Sequence, residues 1–296
     1  MTKKFLFGMA ACTMLFATSC EKELNLGGKD AATVSFNIGT PEIATRAYSD
    51  GTTATKLQYA VYDAKGKELT DLTVTDGVIN GSTTVTFKLT TGNTYSVIFW
   101  AAAEDAPYTV DFANKTMSVD YSGALCNAEN RDAFYKYHTF TVTGPQTESI
   151  ELKRPFAQLN IGTSDYAATE SAGYVPTMSA VTVSSVYSTL NLKTGEVSDE
   201  VEAAFAASAI PTSEVFPVAG YEYLAMNYLL VGAEKGLVEV EFTYTDGEDA
   251  KTRTVGSVPV QRNYRTNLFG QLITSDVDIN VEITPDYEEP AYDEAQ

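Results

Sequence analysis

The sequence predicts an all-β protein built from β-sandwiches, on the basis of two observations. Short runs in which apolar and polar residues alternate recur along the 296-residue chain, and alternation with a period of two places one face of a strand toward a core. Gly, Asn, Asp and Pro turn residues separate these runs, and long helical patterns are missing. The 18 Tyr and 14 Phe residues supply apolar area for such a core.

In the first half of the chain, six short segments have the composition of strands. Residues 95–100 are the most apolar of them and include Trp100, the single tryptophan, which we expect to anchor a core. Residues 127–134 are expected to form a short helix or a loop. The six predicted strands lie within residues 34–38, 57–61, 85–89, 95–100, 140–142 and 149–152.

A second set of strands begins after residues 153–155, where we place a domain boundary. The Asp246-Gly247 pair between two apolar runs is a hairpin signal. The predicted strands of this half lie within residues 156–161, 181–186, 190–192, 238–242, 253–260, 268–273 and 277–283.

Residues 198–207 are the best helix candidate in the chain. Val201, Ala204 and Phe205 would share one face of a helix, and acidic residues would occupy its first turn. Pro211 would stop it. We therefore expect one or two short helices within the β-structure.

The N-terminus has the pattern of a bacterial lipoprotein signal. Lys3 and Lys4 form a positive region, residues 5–17 are mostly apolar, and small residues precede Cys20. The apolar run is too short to span a bilayer as a mature helix. We expect residues 1–19 to be removed and Cys20 to carry lipid, which places the folded protein outside the cytoplasm. The alternative is an ordinary secretory signal that happens to contain Cys20.

The charge balance excludes one class of partner. The chain has 39 acidic and 20 basic residues, for a formal net charge of -19. Nucleic-acid binding needs a basic surface that displaces counterions from phosphates, so we do not expect a nucleic-acid partner.

No arrangement of residues in the sequence predicts catalysis. His138 is the only histidine, so a zinc site with two histidines is impossible, and no GxSxG motif accompanies it. Residues 246–249 could hold calcium, but a turn is the favoured interpretation. Abundant carboxylates leave a glycoside hydrolase as a distant alternative. We expect no enzyme activity, no metal and no cofactor.

A candidate processing site follows the first predicted strand. Pro41 ends the ladder pairing of that strand, and Arg46 then lies before a turn-like Ser49-Asp50-Gly51. An arginine-specific protease cutting between Arg46 and Ala47 would release the first strand together with the lipid anchor.

The final predicted strand is a candidate for donation to another subunit. Val277, Ile279, Val281 and Ile283 alternate with polar residues, and such a strand can fill the groove of a sandwich that lacks one strand. The alternative is that it is simply the last strand of its own domain. The acidic segment 285–296 that follows it is expected to be a flexible tail.

Three segments resemble the fimbrillin-type lipoproteins of Bacteroidales, the type V pilin family. They are residues 152–160 (LKRPFAQLN), 223–230 (YLAMNYLL) and 258–270 (VPVQRNYRTNLFG), somewhat under a quarter of residues 152–284. The resemblance implies two tandem β-sandwich domains of transthyretin-like or Greek-key type. It divides the chain into a signal peptide (1–19), a lipidated pro-segment with the first strand (20–46), an N-terminal domain (47–152), a C-terminal domain (153–284) and the tail (285–296).

The resemblance also implies a function. The protein would be a structural pilus subunit exported as an outer-membrane lipoprotein, cleaved after Arg46, and assembled with other pilus subunits by donor-strand exchange for surface adhesion to a host or bacterial ligand. The second hypothesis is a surface lipoprotein that stays anchored and binds glycan or host protein.

Overall fold

A computed structural model describes residues 30–41, 48–274 and 279–285, and nearly all of its regular structure is β-strand, which confirms the predicted fold class. One short α-helix (Tyr166–Ala172) and two 3-10 turns (Thr70–Leu72, Glu129–Arg131) interrupt the strands. No helix in the described ranges is long and apolar enough to cross a membrane. The strands of the first half are β1 (Ala31–Gly39), β2 (Lys56–Tyr62), β3 (Val74–Val78), β4 (Ser82–Thr90), β5 (Thr94–Ala102), β6 (Tyr108–Asp111), β7 (Thr116–Val119), β8 (Ala133–Thr141) and β9 (Gln146–Glu151).

The second half of the chain supplies eight more strands. They include two long neighbours of 14 and 13 residues that pair with each other. The strands are β10 (Phe156–Thr163), β11 (Met178–Asn191), β12 (Val197–Ala209), β13 (Glu222–Leu230), β14 (Gly236–Thr245), β15 (Ala250–Val260), β16 (Tyr264–Gly270) and β17 (Asn280–Pro285).

The first sandwich consists of two sheets. One has the strand order β4-β1-β9 and the other the order β3-β2-β5-β8. Their facing side chains form one core, in which Phe36, Phe87, Phe99 and Phe140 are buried. Burial of about a dozen or more such side chains is the main force that holds two sheets face to face.

The sheet that contains β5 is covered on both faces. Val97 and Phe99 of β5 belong to the core of the first sandwich, whereas Ile98 and Trp100 belong to the core of the second. The ring of Trp100 packs edge-on against Tyr108 of β6 at 5.5 Å. This strand is therefore apolar at nearly every position, as the sequence predicts, because neither of its faces meets water.

The second sandwich pairs a sheet of order β13-β10-β16-β17 with a larger sheet of order β15-β14-β11-β7-β6, in which β12 also pairs with β11. The β6–β7 hairpin precedes residue 153, yet Thr116–Ser118 of this hairpin pairs with residues 189–191 of β11. The division into domains between residues 152 and 153 stays a prediction. The β6–β7 hairpin comes before this boundary in the sequence but pairs with a strand that comes after it.

The predicted helix at residues 198–207 is wrong, because these residues form β12. Ala203 and Phe205 are buried and alternate with exposed Glu202 and Ala204, which is the period of a strand. The helical face was matched by chance, since small and acidic residues fit both periods. Pairing with β11 over its whole length decides the outcome.

Replacing Gly162 by alanine is expected to reduce the free energy of unfolding by about 1–3 kcal/mol, the usual cost of overpacking. A Cβ atom at this position would lie 2.5 Å from the ring of Phe216, and that ring is itself packed against Tyr223 at 4.9 Å. Urea unfolding of Gly162→Ala, Phe216→Leu and the double variant measures this. The double variant should cost less than the two single costs added, and simple additivity would contradict the clash.

Candidate functional site

β1 is the central strand of its sheet, although it is the first strand in the sequence. It pairs antiparallel with β4 along its entire length, from Ala31 opposite Thr90 to Gly39 opposite Ser82. It also pairs in parallel with β9 from Val34 to Gly39. Removing β1 would therefore leave two strand edges with unpaired backbone N–H and C=O groups.

The apolar side chains of β1 fill a row of pockets in the first core. Ala32, Val34, Phe36 and Ile38 are between 0% and 6% exposed. Phe36 lies at the centre of this row, with ring centroids of Phe87, Phe99, His138 and Phe140 within 5.0–6.1 Å. Phe36 is thus the residue on which the packing of β1 depends most.

The predicted lipidation and processing residues Cys20, Arg46 and Ala47 lie outside the described residues. The chain on either side of the processing position is described. Thr40 donates its backbone N–H to Gly81 in the first sandwich at 2.9 Å. Tyr48 packs edge-on against Tyr223 of β13 at 5.4 Å. The predicted cut therefore lies between a residue held by the first sandwich and one held by the second.

Ser49 is held by a buried polar cluster, which we call the Ser49 clamp: Glu129, Asp132, Arg154 and Tyr228. The backbone N–H of Ser49 donates to Glu129 Oε1 at 2.6 Å, and its hydroxyl lies 2.7 Å from the Tyr228 hydroxyl. Arg154 Nη2 donates to the Ser49 carbonyl at 2.5 Å. The chain is thus fixed two residues beyond Ala47 by its own backbone groups.

The clamp contains an ion pair that is buried on both sides. Arg154 donates from Nε and Nη2 to the two carboxylate oxygens of Asp132, each at 2.8 Å. The guanidinium also lies 4.4 Å from the centre of the Phe134 ring. Burial, and then the charge of Asp132, raise the pKa of the nearby Glu129 to about 8. Sequence reasoning missed this clamp, because its members are scattered from residue 49 to residue 228 and form no local motif.

The last strand lies at the edge of its own sheet. β17 pairs antiparallel with β16, with Val281 opposite Leu268 and Ile283 opposite Thr266. Ile279 is 39% exposed and Val281 is 40% exposed, while Val277 lies outside the described residues. The described part of the segment is thus an edge strand paired within its own chain, and the side chains of Ile279 and Val281 are only partly covered.

The polar residues considered for catalysis or metal binding have structural contacts. His138 Nε2 lies 2.6 Å from Glu148 Oε2, and its ring stacks on Phe140. Asp246 Oδ1 accepts the backbone N–H groups of Glu248 and Asp249 at 3.0 and 2.9 Å, which closes a turn. Within the described ranges, no group of three or more potential metal ligands is clustered.

The chain is similar to one family model and to several solved structures. Residues 26–296 match the model of DUF6562, described as a family of unknown function. No curated protein matches the sequence. A putative polysaccharide-binding protein (DUF1812) from Bacteroides thetaiotaomicron superimposes with a TM-score of 0.52 at 14% identity, covering 86% of this chain and 98% of that one.

Two further structures share the fold. The tip fimbrial protein Mfa3 from Porphyromonas gingivalis, with a C-terminal truncation, gives a TM-score of 0.51 at 11% identity and covers 86% of this chain and 99% of that one. A putative cell adhesion protein from Bacteroides uniformis gives 0.50 at 13% identity, with coverages of 86% and 99%. At identities of 11–14%, the similarity to these structures establishes the fold and nothing more.

Removing one partner of the buried ion pair is expected to cost about 3–5 kcal/mol of unfolding free energy, because the other charge stays buried without its partner. Asp132→Asn and Arg154→Met are the single variants, and urea unfolding is the measurement. The double variant Asp132→Asn/Arg154→Met should cost less than the sum of the two single changes. A cost below about 1 kcal/mol for Asp132→Asn, as for a surface pair, would contradict the burial.

Glu129 should make the folded protein less stable as pH rises from about 5 to about 8. Its pKa in the folded state is raised to about 8, above that of an ordinary glutamate, so the folded state binds the extra proton in this interval. Stability from this proton is present at the low-pH end and is lost as the proton leaves. Urea midpoints measured across this range should fall for the wild type and change less for Glu129→Gln. Parallel curves for the two proteins would contradict the assignment.

Proposed function

The chain belongs to the DUF6562 family, whose function is unknown. We propose that it is a structural pilus subunit that assembles by donor-strand exchange. The observation that supports this most is the position of β1. A strand that precedes a candidate cleavage site is also the central strand of a sheet. Cleavage of the linker would then free a strand whose loss opens a groove.

The groove left by β1 would bind a strand tightly and in one register. The four alternate side chains of β1 are all buried. A donor strand that buries four valine or isoleucine side chains there would contribute roughly 6–12 kcal/mol, at about 1.5–3 kcal/mol each, before the entropy of ordering the strand. Backbone bonds to β4 and β9 add direction, and a one-residue shift would place polar side chains in the pockets.

The proposed order of events begins with export. Cys20 carries the lipid that holds the chain to the outer membrane, and the filled groove keeps the subunit monomeric. Cleavage between Arg46 and Ala47 then releases β1 and the lipid together. The Ser49 clamp would keep the new N-terminus attached to the second sandwich, because its contacts begin two residues after the cut.

The segment from Val277 to Ile283 is the proposed donor. It offers four aliphatic side chains at alternate positions, the same number and spacing as Ala32, Val34, Phe36 and Ile38 of β1. Ile279 and Val281 are about 40% exposed where they now lie. Transfer to the groove of another subunit would bury surface that their own domain leaves in water.

The structural neighbours support this role. They include a fimbrial tip protein and a putative cell adhesion protein, and proteins of this kind act at the cell surface and in fimbriae. We propose the same location here, with other pilus subunits as partners and binding rather than turnover as the function.

The first test is the N-terminus of the protein recovered from the cell surface, by intact mass and N-terminal sequencing. We expect a chain that begins at Ala47 and forms heat-labile ladders on gels. The variant Arg46→Ala should keep its lipid and remain monomeric. A wild-type chain that still begins at acylated Cys20 would contradict the proposal and favour the permanently anchored lipoprotein.

Variants of the donor strand extend the same test to assembly. Val281→Asp replaces an aliphatic side chain that must enter the apolar groove by a charged one, and burying that charge is costly. The variant should therefore be processed but should not form ladders. Glu282→Gln, on the opposite face of β17, is the matched control and should assemble normally. Ladders of unchanged length from Val281→Asp would show that this strand is not the donor.

A further inference from the structure

A pocket of about 480 Å³ opens beside the Ser49 clamp, and none of the functions above uses it. Five parts of the chain line it: residues 135–137 of β8, Lys153 and Arg154 after β9, the turn at residues 192–195 between β11 and β12, Ala233, and residues 261–264, which lead into β16. It therefore lies where the two sandwiches meet.

The pocket is basic on a strongly acidic protein. Among the lining residues that the structure describes, five are lysine or arginine and none is aspartate or glutamate, whereas the whole chain has 39 acidic and 20 basic residues. Arg154 is committed to Asp132. Lys153 also has a contact of its own, and the further cations of the lining are Lys136, Lys193 and Arg262. Cations from several parts of the chain in one concave site, on a chain of the opposite net charge, indicate an anionic ligand.

Arg262 gives the pocket a built donor. Its Nη2 donates to the Val231 carbonyl at 3.2 Å, which fixes the side chain, while its Nε atom is buried without a hydrogen-bond partner. Gly195 makes room for this guanidinium, since a Cβ there would lie 3.1 Å from Nη1. An ordered guanidinium that lines a pocket is suited to a carboxylate.

The chain carries a carboxylate-rich segment that starts next to this pocket. Pro285, the last residue of β17, is opposite Tyr264 in the sheet, and Tyr264 lines the pocket. Because β16 and β17 are antiparallel, the chain leaves the sheet at the end where the turn at residues 261–263 lies. The segment 286–296 has no basic residue and five acidic ones: Asp286, Glu288, Glu289, Asp293 and Glu294.

We propose that the basic pocket binds the acidic C-terminal segment, residues 286–296, of the same chain. Eleven residues reach up to about 36 Å when extended, which is ample for a pocket lined by the residue opposite Pro285. The short connection raises the local concentration of the segment, so ion pairs that are weak between separate molecules become effective within one. This inference does not depend on cleavage at Arg46 or on donor-strand exchange.

Carbodiimide cross-linking of the full chain locates the segment. This reagent joins lysine amines directly to carboxylates, and peptide mass spectrometry identifies the pairs. We expect links from Lys136, Lys153 or Lys193 to the acidic residues of the segment, formed within one molecule when isotopically light and heavy proteins are mixed. Links formed only between light and heavy molecules, or links only to lysines outside the pocket, would overturn the proposal.

Arg262→Gln tests the pocket without removing a cross-linking lysine. Links to the pocket lysines should decrease in this variant and persist in Arg253→Gln, a matched arginine change on β15 outside the pocket lining. Equal yields in both variants would contradict a role for Arg262. Far-UV circular dichroism and thermal midpoints check that both variants are folded.

The affinity of the pocket for the segment can be measured with two separate molecules, a synthetic peptide of residues 286–296 and a shortened protein that ends at Pro285. Fluorescence anisotropy should show saturable binding that weakens with added salt, and Arg262→Gln should weaken it roughly tenfold, the effect of losing one charge-assisted hydrogen bond. The full chain should bind the peptide more weakly than the shortened chain, since its own segment competes. No binding by the shortened chain, or binding of polygalacturonate in preference to the peptide, would overturn the proposal.

Discussion

The first sandwich depends on the placement of the first strand of the sequence in the middle of a sheet. β1 satisfies the facing edges of both β4 and β9, and Phe36 touches aromatic rings from both sheets. Backbone pairing and core packing are therefore joined in one nine-residue segment. A sandwich organised in this way cannot lose β1 without losing hydrogen bonds on two sides and the centre of its core, so any process that frees β1 must supply a replacement strand.

The second sandwich is much less dependent on β1. Its core is built from β10 to β16, the β6–β7 hairpin and the outer face of the β5 sheet. The Ser49 clamp joins this part of the molecule to the chain that follows the proposed cut, through an ion pair buried on both sides. Loss of β1 would therefore open one core while the other stays closed. A subunit can exchange a strand in one sandwich only if a stable remainder holds its neighbours in place.

Much of the strand content could be predicted from sequence, because residues such as Val34, Phe36 and Ile38 alternate cleanly and turn residues bound them. β12 was predicted as a helix because small and acidic residues satisfy both periods, and only its partner β11 distinguishes them. The Ser49 clamp could not be predicted, since Ser49, Asp132 and Arg154 meet only after both sandwiches form. Residues that define a site by long-range contact leave no pattern in the sequence around them.

The end of the chain is subject to two opposing demands. β17 is paired to β16 in its own sheet, and a strand that is donated to another subunit must first leave that sheet. Edge pairing on one side, with Ile279 and Val281 partly in water, makes this departure less costly than removal of a central strand would be. An acidic segment bound in the basic pocket would oppose the departure, because it is attached to Pro285 and holds the end of β17 beside Tyr264. Ion pairs in a site open to solvent weaken with salt and with competing charges. The free energy that keeps β17 in its sheet would therefore depend on ionic conditions, whereas the packing of its aliphatic side chains alone would not give that dependence.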